Sequence, residues 1–330
     1  MKFPPIFTIN PSIKQCLYDL DVLKAALLLH PIPESKAKFL REASILKSSL
    51  YSARIEGNPL TLADVGQLEA GVVNSDKHLQ EVFNLSTIYS SLDRFAVQPF
   101  TLDCIREIHK VVMNGLISPS GLFRVEESAI FNSAGIAVYL PPAPRDVLGL
   151  LEGLIQWMLT TKDPIPVVAA VFHIWFEKIH PFEDGNGRVG RVVSAIILRH
   201  GEYGFGGLVP FEEYLDHHRQ DYYDALGKDR QDVSDFIEFY LHTLVSQVRS
   251  SLHAVDEPLP VRHTSLSPRR AEIVEIVNEH ALASFDFLSR RFRAVPTRTL
   301  HYDLSELIKS GYIRRLGTTR GALYAPGEKA

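Results

Sequence analysis

His180-Pro181-Phe182-Glu183-Asp184-Gly185-Asn186-Gly187-Arg188-Val189-Gly190-Arg191 separates two strongly patterned stretches, and its reading decides the fold. Upstream, Val168, Val171, Phe172, Trp175, Phe176 and Ile179 stand at offsets of 0, 3, 4, 7, 8 and 11. Such a wide apolar stripe predicts a buried helix from about Pro166 to Lys178. Past His180 the chain turns polar and glycine-rich, then resumes as a helix from near Asn186 to about Arg199.

The loop between these helices carries chemistry. Gly185, Asn186 and Gly187 allow tight, partly left-handed backbone where the loop enters the second helix. A helix start presents unpaired N–H groups and the positive end of the dipole, so it binds phosphate. Arg188 and Arg191 are three apart, hence neighbours on the helix surface, and arginine forks suit phosphate oxygens. Asp184 is a hard oxygen ligand beside them, as a magnesium–nucleotide complex needs. His180 ends the first helix on the same loop, where a neutral imidazole can take a proton from an attacking hydroxyl. The assembled reading is transfer of a phosphorus-centred group to a hydroxyl, with His180 as base and Asp184 as metal anchor. Taken alone, Gly185 to Arg188 reads better as a glycine-rich helix start with surface arginines. The full twelve residues favour the chemical reading.

The segment resembles the Fic family signature His-x-Phe-x-(Asp/Glu)-Gly-Asn-Gly-Arg-x-x-Arg at every fixed position. The resemblance covers roughly residues 35 to 250. It implies an all-α core with a β-hairpin flap over the site. It also implies transfer of AMP from ATP to a Ser, Thr or Tyr hydroxyl of a target protein. His180 would be the base, Asp184 would hold Mg²⁺, and Gly185, Asn186 and Gly187 would form the anion hole. Arg188 and Arg191 would contact the β- and γ-phosphates, and Phe182 would anchor the loop in the core. In Arg219 to Leu226, Tyr222 and Tyr223 resemble family tyrosines near the adenine; ordinary helix packing explains them equally well.

Two flanking segments extend the resemblance. Ser128 to Leu140 has two β-prone runs around Asn132-Ser133-Ala134-Gly135, which predicts a hairpin. It corresponds to the flap that docks the target as an added strand, with Phe131, Ile136 and Val138 as docking residues. A helix from Glu34 to Glu56 ends at Gly57-Asn58-Pro59. There Ser52-Ala53-Arg54-Ile55-Glu56-Gly57 matches the family's inhibitory motif, (Ser/Thr)-x-x-x-Glu-(Gly/Asn). Glu56 would pair with Arg191 in place of the ATP γ-phosphate, leaving the α-phosphate misaligned. In some relatives the same glutamate orients water to remove AMP, which leaves a dual role open.

Other helices are expected at Thr61 to Leu68, Lys77 to Phe95, Leu102 to Leu116, Arg145 to Leu159, Phe211 to Leu226 and Val233 to Val255. The resulting division is an N-terminal helical region with the inhibitory helix (1–100), a Fic core (101–255) and a linker (256–266). The last part, 267–330, reads as a C-terminal winged helix-turn-helix, three helices followed by a strand pair. It holds 12 Lys and Arg against 7 Asp and Glu from Arg262 onward, although the whole chain is at −4. Arg298, Thr299, His301 and Tyr302 on its last helix, with Arg314, Arg315 and Arg320 on the wing, suit DNA. A protein-binding winged helix is the other reading.

At 45% hydrophobic and 22% charged, the 330 residues have a globular balance. No run reaches the roughly 18 apolar residues of a membrane span. Met1-Lys2-Phe3-Pro4-Pro5 meets two prolines before any apolar run, so no signal peptide is expected. Cys16 and Cys104 form no CxxC pair, and a reducing, cytoplasmic setting is expected. The partners expected are ATP, a target protein and, through self-modification, the chain itself. The competing class is a nucleotide-responsive DNA-binding regulator whose Fic site rarely turns over.

Overall fold

Twelve of the fifteen residues of the helix Ile165–Ile179 are buried, so it is covered on every side rather than along one stripe. It is the centre of the first of two compact units, Met1–Glu257 and Pro258–Ala330. The computed structural model describes residues 4–65, 76–131, 137–227, 231–257, 266–280, 282–292, 295–317 and 322–327.

The first unit comprises α1 (Pro11–Leu29), α2 (Glu34–Ile55), α3 (Leu62–Val65), α4 (Lys77–Ser90), α5 (Leu92–Ala96) and α6 (Leu102–Val112). A two-stranded antiparallel pair follows, β1 (Ile130–Phe131) and β2 (Ala137–Tyr139). Then come α7 (Pro144–Thr160), the central α8 (Ile165–Ile179), α9 (Asn186–His200), α10 (Phe211–His217), α11 (Arg219–Gly227) and α12 (Ser234–Asp256). Helix α8 packs against α7, α9 and α12, while α2 lies on α4 and α10. Gly190 sets the α8–α9 approach, since a Cβ there would meet Phe176 Cδ1 at 3.3 Å and Glu177 Oε1 at 2.6 Å.

The sequence expectations need four adjustments. Residues 1–100 are not a separate region: Ile13, Leu50 and Leu85 share one core with Ile108, Phe172 and Leu241. Helix α1 was not expected, yet Asn10 caps it by accepting the Ile13 N–H at 2.8 Å, with Pro11 in the first turn. The helix expected over 77–95 breaks after Ser90. Ser90 and Ser91 each donate a hydroxyl to the Thr87 carbonyl at 2.9 Å, competing with the helical pattern. The helix expected over 211–226 breaks at His218, whose ring lies against its own helix, 3.0 Å from the Tyr214 carbonyl.

The second unit runs α13 (Pro268–His280), β3 (Ala283–Ser284), α14 (Phe285–Arg291), α15 (Thr297–Lys309), β4 (Ile313–Leu316) and β5 (Leu323–Pro326). The strands form an antiparallel sheet ordered β3-β5-β4 over a core of Ile273, Val277, Leu288, Leu300, Leu304 and Leu307. Strand β3 is two residues long, too short to carry a signal in sequence. Most of the expected linker and Arg320 lie outside the described residues. No described helix is long and apolar enough to cross a membrane.

Candidate active site

Helix α8 stops at His180, which adopts left-handed backbone (φ 50, ψ 60) and so turns the chain into the loop. Arg124 fixes that turn. Its Nε donates to the His180 carbonyl at 2.7 Å, its Nη1 to the Glu126 carbonyl at 3.0 Å, and its backbone N–H to the Pro181 carbonyl at 2.9 Å. Phe182 is fully buried and stacks on His109 at 3.8 Å between ring centroids. The His109 Nδ1 accepts the Gly121 N–H at 2.8 Å, so the proton sits on Nε2, which donates to the Asp184 carbonyl at 3.1 Å. The Asn186 carboxamide bridges back across the loop, accepting the Phe182 N–H and donating to the Phe182 carbonyl, both at 2.9 Å. The side chain of Asn186 therefore holds the loop, and only its backbone N–H is left for an anion.

The His180 Nδ1 is buried without a hydrogen-bond partner among the described residues. Burial pushes the imidazole below its usual range, against the raising influence of the Glu177 carbonyl. The ring is therefore neutral at pH 7, the state a general base requires.

Helix α9 begins at Asn186 after Gly185, whose φ of 82 needs glycine. Its first-turn N–H groups, at Asn186, Gly187 and Arg188, have no acceptor within the helix and face the loop as an anion cradle. Arg188 is buried and donates to Glu81 of α4 at 2.6 Å and to Asp184 at 2.8 Å. Arg191 is buried and held by α2: Nε donates to Ser52 Oγ at 3.0 Å, and Nη2 to the Ser52 carbonyl at 2.9 Å and to Glu56 Oε1 at 2.8 Å. Burial works against the charged guanidinium, but the Glu56 carboxylate holds it firmly protonated. A Cβ at Gly187 would lie 3.1 Å from the Glu56 carboxyl carbon, so that carboxylate occupies the cradle mouth. Gly57, at φ 98, ends α2 just beyond it. Asn58 then donates to Glu81 Oε2 at 2.8 Å, so the segment after α2 also reaches the partner of Arg188.

Comparison with known proteins agrees with this geometry. The Fic/DOC family model matches residues 99–198, which include the whole loop. A Fido domain-containing protein of Dictyostelium discoideum is 34% identical over 148 residues, covering 42% of this chain and 99% of that protein. The chain belongs to the Fic/Fido family. A protein of Nematostella vectensis named protein adenylyltransferase Fic is 28% identical over 246 residues, 69% of this chain. The chain spans only 55% of the length of that relative. The crystal structure of a Fic family protein from Desulfovibrio desulfuricans G20 superposes with a TM-score of 0.68 at 24% identity, over 99% of each chain. It shows the same fold.

Around this Fic loop, Asp184 is the residue fitted to a metal. One of its oxygens accepts from the Gly185 N–H at 2.6 Å and from Arg188, while the carboxylate as a whole is 58% exposed. Among the described residues no three His, Cys, Asp or Glu gather to hold an ion. A single carboxylate beside a phosphate cradle fits Mg²⁺ carried in by a nucleotide, since Mg²⁺ takes most ligands from water and phosphate.

The remaining expected residues separate. Tyr222 is 1% exposed, with its hydroxyl 2.7 Å from His173 Nε2. Its ring is packed in the core with no face open to an adenine, which corrects the nucleotide role expected for it. Tyr223 is 43% exposed and donates its hydroxyl to the Ile55 carbonyl at 2.8 Å, bracing the end of α2. The expected hairpin is present, with Phe131 paired to Ala137. Tyr139 anchors it by donating to the Lys178 carbonyl at 3.0 Å. Phe131 and Val138 lie in its strands, and Ile136 falls outside the described residues. Sequence reasoning missed Glu81, His109 and Arg124, which act on the loop from other helices and segments. It also missed Glu177. Burial raises that carboxyl to about 8, with Glu56 adding to the rise and Arg191 opposing it, and its Oε1 has no partner among the described residues.

Proposed function

We propose that the chain is a protein adenylyltransferase held off by its own Glu56. The observation that carries this reading is the Glu56–Arg191 pair lying over Gly187, at the start of the helix whose first-turn N–H groups face the loop. In the reaction, a target Ser, Thr or Tyr hydroxyl gives its proton to His180 as its oxygen bonds to the α-phosphorus of ATP. The bond from that phosphorus to the β-phosphate oxygen breaks, and pyrophosphate leaves. The first-turn N–H groups of α9 orient the phosphates and take up charge on their oxygens, with Arg188 beside them. Mg²⁺, held through Asp184, would neutralise phosphate charge.

Arg191 suits the γ-phosphate because a planar guanidinium binds carboxylate and phosphate alike. While Glu56 holds it, ATP lacks that anchor and its α-phosphate is not in line. Replacing Glu56 with Gly should therefore give AMP transfer, including self-modification. Intact-mass measurement of the full chain with ATP and Mg²⁺ tests this. A gain of AMP supports the reading, a gain of phosphate alone would redirect it to a kinase, and no gain over wild type would refute it.

For the C-terminal unit we read a basic docking module for DNA. Arg298, His301 and Tyr302 on α15 and Arg314 and Arg315 on β4 are each exposed. Its buried Asp303 accepts from both Arg269 and Arg270, one carboxylate against two guanidiniums, so that cluster adds net positive charge to the unit. A gel shift at low salt that slows no duplex would remove DNA from its partners. A cytoplasmic setting suits the free, buried Cys16 and Cys104.

A further inference from the structure

A second cavity, of about 200 Å³, lies behind the inhibitory helix and away from the loop. Helix α2 forms one wall with Arg41, Ser44 and Ser48, and α9 forms another with Ala195 and Leu198. Its lining includes Tyr203, Gly204 and Phe205, on a turn where Phe205 (φ 45) and the preceding Glu202 (φ 64) have positive φ without being glycine. Such strain is retained where the surroundings over-determine it, commonly at ligand clamps.

The walls define what fits. Phe205, Phe211, Leu244 and Ile45 give an apolar body. Two arginines that line the cavity meet at Gly207, where an added Cβ would lie 3.4 Å from Arg199 Nη1 and 3.6 Å from the Arg41 stem at Cγ. Arg199 is already neutralised by Asp93. Arg41 pairs with Glu34, which is 87% exposed, and such a surface pair adds little stability. Arg41 is thus the cation available to a ligand. At the floor, Glu212 is buried and its carboxyl is raised by burial, with Tyr89 donating to it. For size, a cavity of ~150 Å³ takes a benzene ring, so this one holds a ring with a short substituent and excludes a nucleotide.

We infer that this cavity is an effector site for a small organic monoanion with a ring-sized apolar body, and that its occupant fastens α2 against the core. The regulatory half rests on the autoinhibition proposed above. Ser48, in the α2 wall of the cavity, is one helical turn from Ser52, which grips Arg191. A ligand touching both α2 and α9 stabilises only the docked helix. At ten times its Kd it lowers the undocked population about tenfold.

Benzoate is the probe, benzyl alcohol its uncharged counterpart, and the full chain the sample. Saturation-transfer NMR should show saturable benzoate binding that weakens about tenfold in Arg41→Gln, the effect of losing one charged contact. Benzyl alcohol should bind more weakly and ignore Arg41→Gln. Ser44→Phe, which fills the cavity, should abolish binding. Since that variant risks misfolding, Arg41→Gln at the surface decides. Benzoate should also slow amide exchange across residues 44–56. Absence of saturable binding, equal affinity in Arg41→Gln, or equal affinity for benzyl alcohol would overturn the site. Binding without slowed exchange would overturn the control of α2. Failure of Glu56→Gly to take up AMP would strike the enzyme reading and leave the benzoate titration standing.

Discussion

Removing the Glu56 charge should make the protein less stable and more responsive to ATP. In Glu56→Gln the carboxylate that meets Arg191 at 2.8 Å is replaced by a neutral amide of the same length. Arg191 is 1% exposed; it keeps its two bonds to Ser52 and loses its charged partner. Breaking a fully buried ion pair costs ~3–5 kcal/mol because the remaining charge is uncompensated. Glu56 is 32% exposed, so water reaches one side of the pair and the cost falls to roughly 1–3 kcal/mol. For a unit of this size each kcal/mol moves Tm by about 2–4 °C, which gives a fall of roughly 2–12 °C. ATP with Mg²⁺ should recover most of it, since the γ-phosphate supplies the missing anion. Wild type, already paired, should gain less. Thermal melts with and without nucleotide measure both effects. An unchanged Tm in Glu56→Gln, or equal ATP stabilisation of the two proteins, would refute the claim that carboxylate and phosphate compete for Arg191.

Four further outcomes are expected. In the Glu56→Gly background, His180→Ala should slow AMP transfer by about 10²–10⁴-fold. Because burial lowers the His180 pKa, the acid limb of the rate profile should fall below about pH 6.5. Arg124→Lys keeps the charge but loses the guanidinium fork that spans the His180 and Glu126 carbonyls, so single-turnover rates should drop up to about 10²-fold with little change in ATP affinity. Buried His173, lowered to about 3, and Glu177, raised to about 8, should shape stability against pH. The unfolded Glu177 ionises near 4.5 while the folded one stays protonated, so stability falls as pH rises through that interval. His173 works oppositely, losing stability as pH drops below 6.5, and the two offset each other between 4.5 and 6.5. From pH 6.5 to 8 Glu177 acts without that offset, giving a fall of about 2 kcal/mol that Glu177→Gln should flatten in urea titrations.

Most of the geometry of the His180–Arg191 loop was legible because it belongs to residues adjacent in sequence. The spacing of Arg188 and Arg191 and the glycines around Asn186 carry their geometry locally. Glu56 was legible through a short motif whose meaning depends on the loop already found. Glu81, His109 and Arg124 were not, since each meets the loop through tertiary packing from 56 or more positions away. No periodicity marks such residues. Tyr222 shows the reverse error. Two adjacent tyrosines on a helix point to different sides, and only packing reveals that one faces His173 and the other α2. Helix α1 was missed because its apolar residues are spread around its circumference, although Asn10-Pro11 offered a start signal.

The left-handed bend at His180 sets selection for durability against selection for turnover. A side chain in that backbone region costs on the order of 1 kcal/mol relative to glycine, the residue that most often ends helices this way. A library screened only for heat resistance should therefore drift toward glycine at position 180. The survivors would refold readily, keep the helix start and the Glu56–Arg191 pair, and lack the imidazole that the proposed transfer uses as its base.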